Sequence, residues 1–522
     1  MKRDRVWDYG LAAFLAVMVF LVALFYMDNN CHWGDDFSAY LLEGISIAED
    51  RFDQQTHINY MLHNALLPQE VSGEESLVYA WGYPLILALV YRLAGFDRGS
   101  FLSIFYYKLP SLVCLALLAA TAYLFFSRRL SRPVSFALSV MLCVNTEFLI
   151  FIENLIYSDI VFLASAMITL LLGDCFLSSL KSEEGAHTWR WSVALGVSLW
   201  ATYEIRLNGV MICAAVFVAQ LLQLLRHREL PRRKALLLQL SPYLLFLLLK
   251  LFSEALLAPA TSNTSDLARW TLARTISNLR YYMGLVQTWV RGLVFNRRYY
   301  RATRLYDLFP YVFYILLFIG ALTDGLRRDL HLVLYAAVSA LGVCLLPYVQ
   351  GLRYMYPLLP LLLLFAGYGL QRIWGWLGLL YRRLGGAVLS ARRRQAAALL
   401  LTLVVIGFSV YRVAPLVKKE IAWHNDPSPR TETYSAMAVD MYHYIMEHTD
   451  PDALIMFHKP RSLYLNTKRL AIWDDEAKLF DADYYLLNKM WDTQTFDLSE
   501  DKLEHLRVSF ENDEFALYQI QK

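Results

Sequence analysis

The sequence predicts a polytopic α-helical membrane protein that carries a small α/β domain at its C-terminal end. Three observations predict it. Of 522 residues, 57% are hydrophobic and only 18% charged, whereas a soluble chain averages about 25% charged. The apolar residues come in runs of roughly twenty, the length that crosses a hydrocarbon core of about 30 Å. Beyond about residue 430 the runs give way to short apolar stretches between turn residues. This composition excludes a soluble enzyme, a disordered chain and a secreted disulfide scaffold. Five of the six cysteines (Cys114, Cys143, Cys175, Cys213 and Cys344) lie inside apolar runs, so no disulfide is expected, and no zinc-type Cys/His spacing occurs. A net charge of +3 gives no reason to expect a nucleic-acid partner.

The first span runs from Tyr9 to Met27, behind Lys2, Arg3 and Arg5. It has no Ala-x-Ala exit and reads as an uncleaved signal anchor. Further spans are expected near 103–126, 133–151, 160–180, 191–204, 208–225, 235–257, 308–325, 330–349, 357–380 and 396–413, about 11 in all. Basic clusters then alternate with basic-poor connections. Arg128, Arg129 and Arg132, then Lys181 and Arg190, then 226–234, Arg327 and Arg328, and 382–394 all fall on the side of the N-terminus. By the positive-inside rule that side is cytoplasmic. The chain is expected in the plasma or inner membrane, with its C-terminal domain extracytoplasmic.

Three outer regions are too long for simple connections: 28–102, 258–307 and 414–522. Within the first, Trp81 to Phe96 is apolar but short and contains Pro84, which suits an interfacial or re-entrant helix. In the last, Tyr434 to Glu447 has helical spacing. Ala453 to Phe457, Leu470 to Trp473, Tyr484 to Leu487 and Phe515 to Ile520 read as strands. The expected division is a membrane domain over 1–413 and an α/β domain over 414–522.

Charged residues on the outer side carry the candidate chemistry. Asp35 and Asp36 stand in His32-Trp33-Gly34-Asp35-Asp36, just past the first span. Paired acids suit general-base work, because like charge and desolvation raise one pKa; the pair also suits simple capping of the helix that begins near Phe37. Asp159, in Glu153-Asn154-Leu155-Ile156-Tyr157-Ser158-Asp159, heads an apolar helix on the same face, where capping is again the alternative. Arg206 and Arg353 each stand alone between spans. The 258–307 loop holds Arg269, Arg274, Arg280, Arg291, Arg297, Arg298, Arg301 and Arg304 with no Lys. Arginine alone suits bidentate phosphate recognition, or an interfacial helix that snorkels its arginines toward headgroups. Lys108, Asp174, Lys250 and Arg372 sit near span ends, where snorkelling accounts for most such charges. In Phe457-His458-Lys459-Pro460-Arg461 the histidine is expected at a solvated strand end.

In this order the motifs resemble the GT-C superfamily of polyprenyl-phosphate-dependent glycosyltransferases. The likeness is to the branch of protein O-mannosyltransferases and lipid A aminoarabinose transferases, glycosyltransferase family 39-like. The resemblance rests on Asp35-Asp36 followed by a helix from Tyr40, on Trp81-Gly82-Tyr83-Pro84 with its Gly95-Phe96 exit, and on Ser158-Asp159. It also rests on Arg206-x-x-Gly209 and on Arg353-Tyr354-x-x-Pro357-x-x-Pro360. It covers roughly 1–413, and departs from the family in having Asp-Asp where Asp-Glu is common. It implies a GT-C-like architecture and transfer of a sugar from a polyprenyl phosphate to a polymer, lipid or protein on the outer face, with inversion. Asp35, Asp36 and Asp159 would be catalytic, with Asp35 as base. Tyr40, Tyr83, Glu153, Ser158, Arg206, Arg353 and Tyr354 would bind substrate. The lipid-linked sugar is a substrate, and no cofactor is implied. The three aspartates could ligate a divalent cation, but the branch is treated as metal-independent and no metal is expected. A transporter or flippase of lipid-linked sugars is the rival reading; no internal repeat of the kind transporters carry is visible in the sequence.

Overall fold

The computed structural model describes residues 2–27, 31–63, 66–67, 79–95, 101–180, 188–226, 233–256, 271–294, 304–346, 351–383, 432–490 and 500–522, with a few single residues between them. In chain order the helices begin with α1 (Lys2–Tyr26), α2 (Asp35–Ala48), α3 (Phe52–His63), α4 (Gly82–Ala94) and α5 (Phe101–Ser127). Next come α6 (Arg132–Cys143), α7 (Thr146–Asn154), α8 (Asp159–Ser179), α9 (Thr188–Ile205) and α10 (Val210–Arg226). The set continues with α11 (Arg233–Leu256), α12 (Leu272–Val294), α13 (Arg304–Gly320), α14 (Leu330–Leu345) and α15 (Leu359–Arg383).

Six helices among the described residues are long and apolar enough to cross a membrane, and four shorter apolar helices accompany them. Their outward faces suit lipid: α11 exposes Leu244, Leu247, Leu248, Leu251 and Phe252. The short run at 191–204 forms a full helix, α9. The expected span 133–151 is instead two helices, because Asn145 interrupts it and caps α7 by accepting from the Phe148 N–H at 3.1 Å. The expected span 396–413 falls almost wholly outside the described residues. The 258–307 region is more than a loop: α12 buries Tyr282, Val286, Trp289, Val290 and Leu293 at helical spacing and leaves Arg274 and Arg280 exposed. Close helix approach needs glycine where α13 meets α15. A Cβ on Gly320 would run into the Phe365 carbonyl, and one on Gly369 into the Leu316 carbonyl.

Charges inside the bundle are paired rather than snorkelling. Arg129, one turn past α5, donates to Asp329 at 2.8 Å and to Asp174 of α8 at 2.7 Å. His331 Nε2 lies 2.9 Å from Asp174, and the Tyr368 hydroxyl donates to Asp329 at 2.5 Å. Asp174, Asp329 and His331 bring three ligand-type atoms within 4.8 Å of one another. Arg129 and Tyr368 already answer the carboxylates, so the cluster reads as an ion-pair network that ties α5, α8, α14 and α15. Arg372 meets Asp324 at 3.0 Å, and Lys250 meets Glu254 one turn on.

The C-terminal residues form the expected α/β unit, a five-stranded sheet in the order β2-β1-β3-β5-β4. Its strands are β1 (Leu454–Met456), β2 (Leu470–Ile472), β3 (Tyr484–Asn488), β4 (Leu506–Glu511) and β5 (Phe515–Ile520). Strands β2, β1 and β3 run parallel, and β5 is antiparallel to β3 and β4. Helices α16 (Ala436–His448) and α17 (Pro460–Thr467) pack with it. Strand β4 and helix α17 had no clear sequence signal: β4 is mostly exposed and α17 is a single short stretch. The core of this unit includes Trp33 from the first outer region, against Tyr442, Phe457 and Phe515. The Thr433 N–H donates to the Cys31 carbonyl at 3.0 Å, and the Trp473 indole to the Leu62 carbonyl at 3.3 Å. His458 is not at a solvated end: its ring packs on Trp33 and Phe457, and burial with Lys459 nearby pushes its pKa down to about 3.

Arg129→Met would leave two buried carboxylates without their cation, a loss of about 3–5 kcal/mol. Thermal unfolding in detergent should show a clearly lowered Tm, and an unchanged Tm would contradict the network's structural role.

Candidate active site

The candidate site lies at one end of the bundle, where glycine and aromatic packing bring separate chain segments together. Helix α2 starts at Asp35 behind an extended Gly34 (φ −131°, ψ 120°), with no side-chain cap. A Cβ at Gly34 would strike the Tyr157 hydroxyl, so glycine lets the segment before α8 come against the start of α2. At Gly82, a Cβ would come within 2.6 Å of the Glu204 carbonyl, which seats the Trp81-Gly82-Tyr83-Pro84 run on the end of α9. At Gly209, it would meet the Thr202 and Tyr203 backbone at 2.7–2.9 Å. The short 3₁₀ turn Leu207–Gly209 therefore folds back on α9, and the preceding Arg206 is extended. This accounts for the glycine three residues after Arg206.

Asp36 does not act as a helix cap. Its Oδ1 accepts from the Tyr79 hydroxyl at 2.7 Å, and its Oδ2 lies 3.4 Å from Arg353 Nη2. Arg461 of α17 sits 3.6 Å from Oδ1 and donates to the Tyr79 oxygen at 3.4 Å. Burial on its own would raise the Asp36 pKa; Arg461, the Tyr79 hydroxyl and Arg353 outweigh it and hold the carboxyl below the usual carboxylate range. Burial in turn keeps the Tyr79 hydroxyl protonated, well above its ordinary value, so that it serves as a donor.

Asp159 is equally engaged. It is the first residue of α8, 1% exposed, and pairs directly with Arg206. Ser158 before it makes no cap bond; its hydroxyl meets that of Tyr40 at 3.1 Å. Tyr40 stacks on Tyr79 with ring centroids 4.2 Å apart and meets Tyr83 edge-on at 5.0 Å. Both Tyr40 and Tyr83 are buried, so they form walls of the site rather than an open surface.

Arg353 follows Gly351 in the 3₁₀ segment Leu352–Leu358. Its guanidinium lies over Tyr157 at 5.1 Å and beside Tyr354 at 5.6 Å. Arg206 covers the same Tyr354 ring at 5.2 Å. Two guanidinium groups thus meet one tyrosine ring, fixed in position by cation–π contact and by Asp36 and Asp159.

The structure brings together Asp36, Asp159, Ser158, Tyr40, Tyr83, Arg206, Arg353 and Tyr354. The side chains of Asp35 and Glu153 lie outside the described residues. The loop arginines that are described do not reach this site: Arg274 and Arg280 are exposed on α12, and Arg291 turns to Tyr306 and Asp307. Arg269, Arg297, Arg298 and Arg301, and the side chain of Arg304, lie outside the described residues. Sequence reasoning missed Tyr79, Tyr157 and Arg461. Tyr79 stands two residues before the Trp81 motif, and Arg461 in the segment singled out for His458. Neither pattern says that it reaches a residue hundreds of positions away.

No protein-family model matches the chain, and no curated protein sequence matches it. Among solved structures its fold is similar to that of ArnT from Cupriavidus metallidurans bound to undecaprenyl phosphate, at 14% identity and TM-score 0.53 over 97% of each chain. The same protein in its apo state matches at 12% identity and TM-score 0.52. The Archaeoglobus fulgidus oligosaccharyltransferase tethered with an acceptor peptide matches at 11% identity and TM-score 0.50, over 92% of this chain and 69% of that one. The chain therefore has the fold of the GT-C membrane enzymes, the architecture that its motif order implied.

Proposed function

We propose that this multi-pass membrane protein is a glycosyltransferase that passes a sugar from a polyprenyl-phosphate donor to an acceptor on the outer face of the plasma or inner membrane. The observation that carries this reading is the pair of guanidinium groups, Arg206 and Arg353, both held against Tyr354 and set against two carboxylates. A lipid phosphate leaves with developing negative charge, and preorganised cations aimed at it lower the barrier. Arginine suits that task because its fork matches phosphate oxygens and never loses its charge. That ArnT of this fold binds undecaprenyl phosphate supports a lipid-linked donor here.

The acids then divide the remaining work. Asp159 fixes Arg206. Asp36, held ionised by two arginines and a tyrosine, is a poor proton acceptor and serves to orient Arg353. Asp35 is the proposed base: it takes the proton of the acceptor hydroxyl as that oxygen attacks the anomeric carbon. The bond from the anomeric carbon to the phosphate oxygen breaks as the new one forms, so configuration inverts. Asp36 and Asp159 each face guanidinium groups, which supply the positive charge a metal would otherwise bring; we derive no step through a cation. The N-terminus would be cytoplasmic and the sheet domain extracytoplasmic.

Asp35→Asn should lower transfer of labelled sugar from a polyprenyl-phosphate donor by about 10²–10⁴-fold, with expression and membrane insertion retained. Full activity in that variant would remove Asp35 from the base role. Arg206→Ala and Arg353→Ala should each lower kcat by about 10²–10³-fold; a change confined to KM would mean that they bind the donor equally in ground and transition states.

A further inference from the structure

Among the described residues, the C-terminal unit brings the charged side chain of Arg461 to the candidate site. Arg461 is the second residue of α17, and its side chain is only 5% exposed. A buried guanidinium requires an anion, and the one it faces is Asp36, with the Tyr79 hydroxyl between them. Helix α17 is itself fixed against α2: Ser462 and Ser38 meet hydroxyl to hydroxyl at 2.8 Å, both fully buried. Tyr464 and Leu465 of the same helix are part of the core of the membrane unit. Arg461 therefore reaches Asp36 from a helix that is packed on the very helix carrying the acid.

We infer that Arg461 is a positioning residue of the catalytic centre, and that the C-terminal domain completes the site by holding Asp36 in line with Arg353. The inference rests on the proposed transferase reading and deepens it. One carboxylate links the two arginines: Oδ1 faces Arg461 and Tyr79, Oδ2 faces Arg353. Removing Arg461 leaves Oδ1 with the neutral Tyr79 hydroxyl and no cation on that side, so Arg353 is aimed at the leaving phosphate by a less firmly fixed partner. The groups facing Asp36 include Tyr79 ahead of α4, Arg353 ahead of α15, Arg461 of α17, Tyr157 ahead of α8 and Tyr40 of α2 itself. Without the Arg461 charge, the part-buried carboxyl takes up a proton at higher pH, because desolvation then meets less opposition.

The test compares Arg461→Met, Arg461→Lys and Tyr79→Phe in the full-length protein, with Ser462→Ala as a variant that alters docking but not the site. Sugar transfer from a polyprenyl-phosphate donor should fall about 10–100-fold in kcat for Arg461→Met, with donor KM within a few-fold of wild type. The acidic limb of its kcat profile should move to higher pH. Arg461→Lys should recover part of the rate, Tyr79→Phe should show a smaller defect of the same kind, and Ser462→Ala should stay near wild type. Limited proteolysis reports whether the C-terminal domain remains docked. Wild-type kcat in both Arg461→Met and Tyr79→Phe overturns the inference. So does a loss confined to Arg461→Met that coincides with cleavage of the domain, since Arg461 is then a docking contact only. Asp35→Asn and Arg353→Ala run alongside: if these are inactive while Arg461→Met is fully active, this inference fails alone; if they too are fully active, the transferase reading itself fails.

Discussion

Hydrocarbon cannot solvate an ionised side chain, and that constraint organises this molecule. Charges within the apolar bundle have to be paired, and the pairing has to be placed where helices end. Helix α8 shows both consequences. Asp159 opens it and Asp174 lies fifteen residues on, a separation of about 22 Å along a helix rising 1.5 Å per residue. Each aspartate anchors a separate network. Asp174 joins Arg129, Asp329 and His331, which tie four helices together at one end. Asp159 joins Arg206 at the other, within reach of Arg353, Asp36 and Arg461. One network fixes the scaffold, and the other occupies the face to which chemistry is assigned.

The Asp159–Arg206 network stays in place because its supports are aromatic and close-packed. Tyr40, Tyr79 and Tyr83 interlock by stacked and edge contacts, which orient the α2 end against α4 and α8. Gly34, Gly82 and Gly209 permit backbone approaches that any side chain would block. The arginines lie against tyrosine rings, so each guanidinium is restrained by a ring face and by a carboxylate. An anion entering such a site meets donors that need little reorganisation, which is the condition for electrostatic catalysis.

Much of this was legible in the sequence because bilayers and helices write periodic signals. Run length located the spans, and short motifs flagged Asp36, Asp159, Arg206 and Arg353 one at a time. The break at Asn145 was missed because an apolar run hides a single capping residue. For 258–307 the arginines suited an interfacial helix as well as a phosphate-binding loop, and the Tyr282, Val286, Trp289, Leu293 stripe is what makes α12 a packed helix. Arg461 was out of reach for a different reason. Its role depends on docking of α17 against α2, through Ser462 and Ser38 and the packing of Trp33 in the sheet domain's core. Such pairings carry no local pattern. Two adjacent aspartates likewise do not reveal which of them is neutralised by a distant arginine.

That last point bears on how two neighbouring acids can hold different jobs. Successive positions on a helix point about 100° apart, so adjacency in sequence alone does not assign two acids the same role. Asp36 is surrounded by Arg353, Arg461 and Tyr79, and its carboxyl is held below its ordinary range. An acid stabilised in this way as its anion gains little by accepting a proton, and its value lies in fixing the cations around it. A proton acceptor for an attacking hydroxyl needs the opposite setting, with fewer compensating charges. On the proposed reading, the guanidinium groups that would favour departure of a phosphate make Asp36 a poor base, and part of that positive charge comes from the C-terminal domain through Arg461.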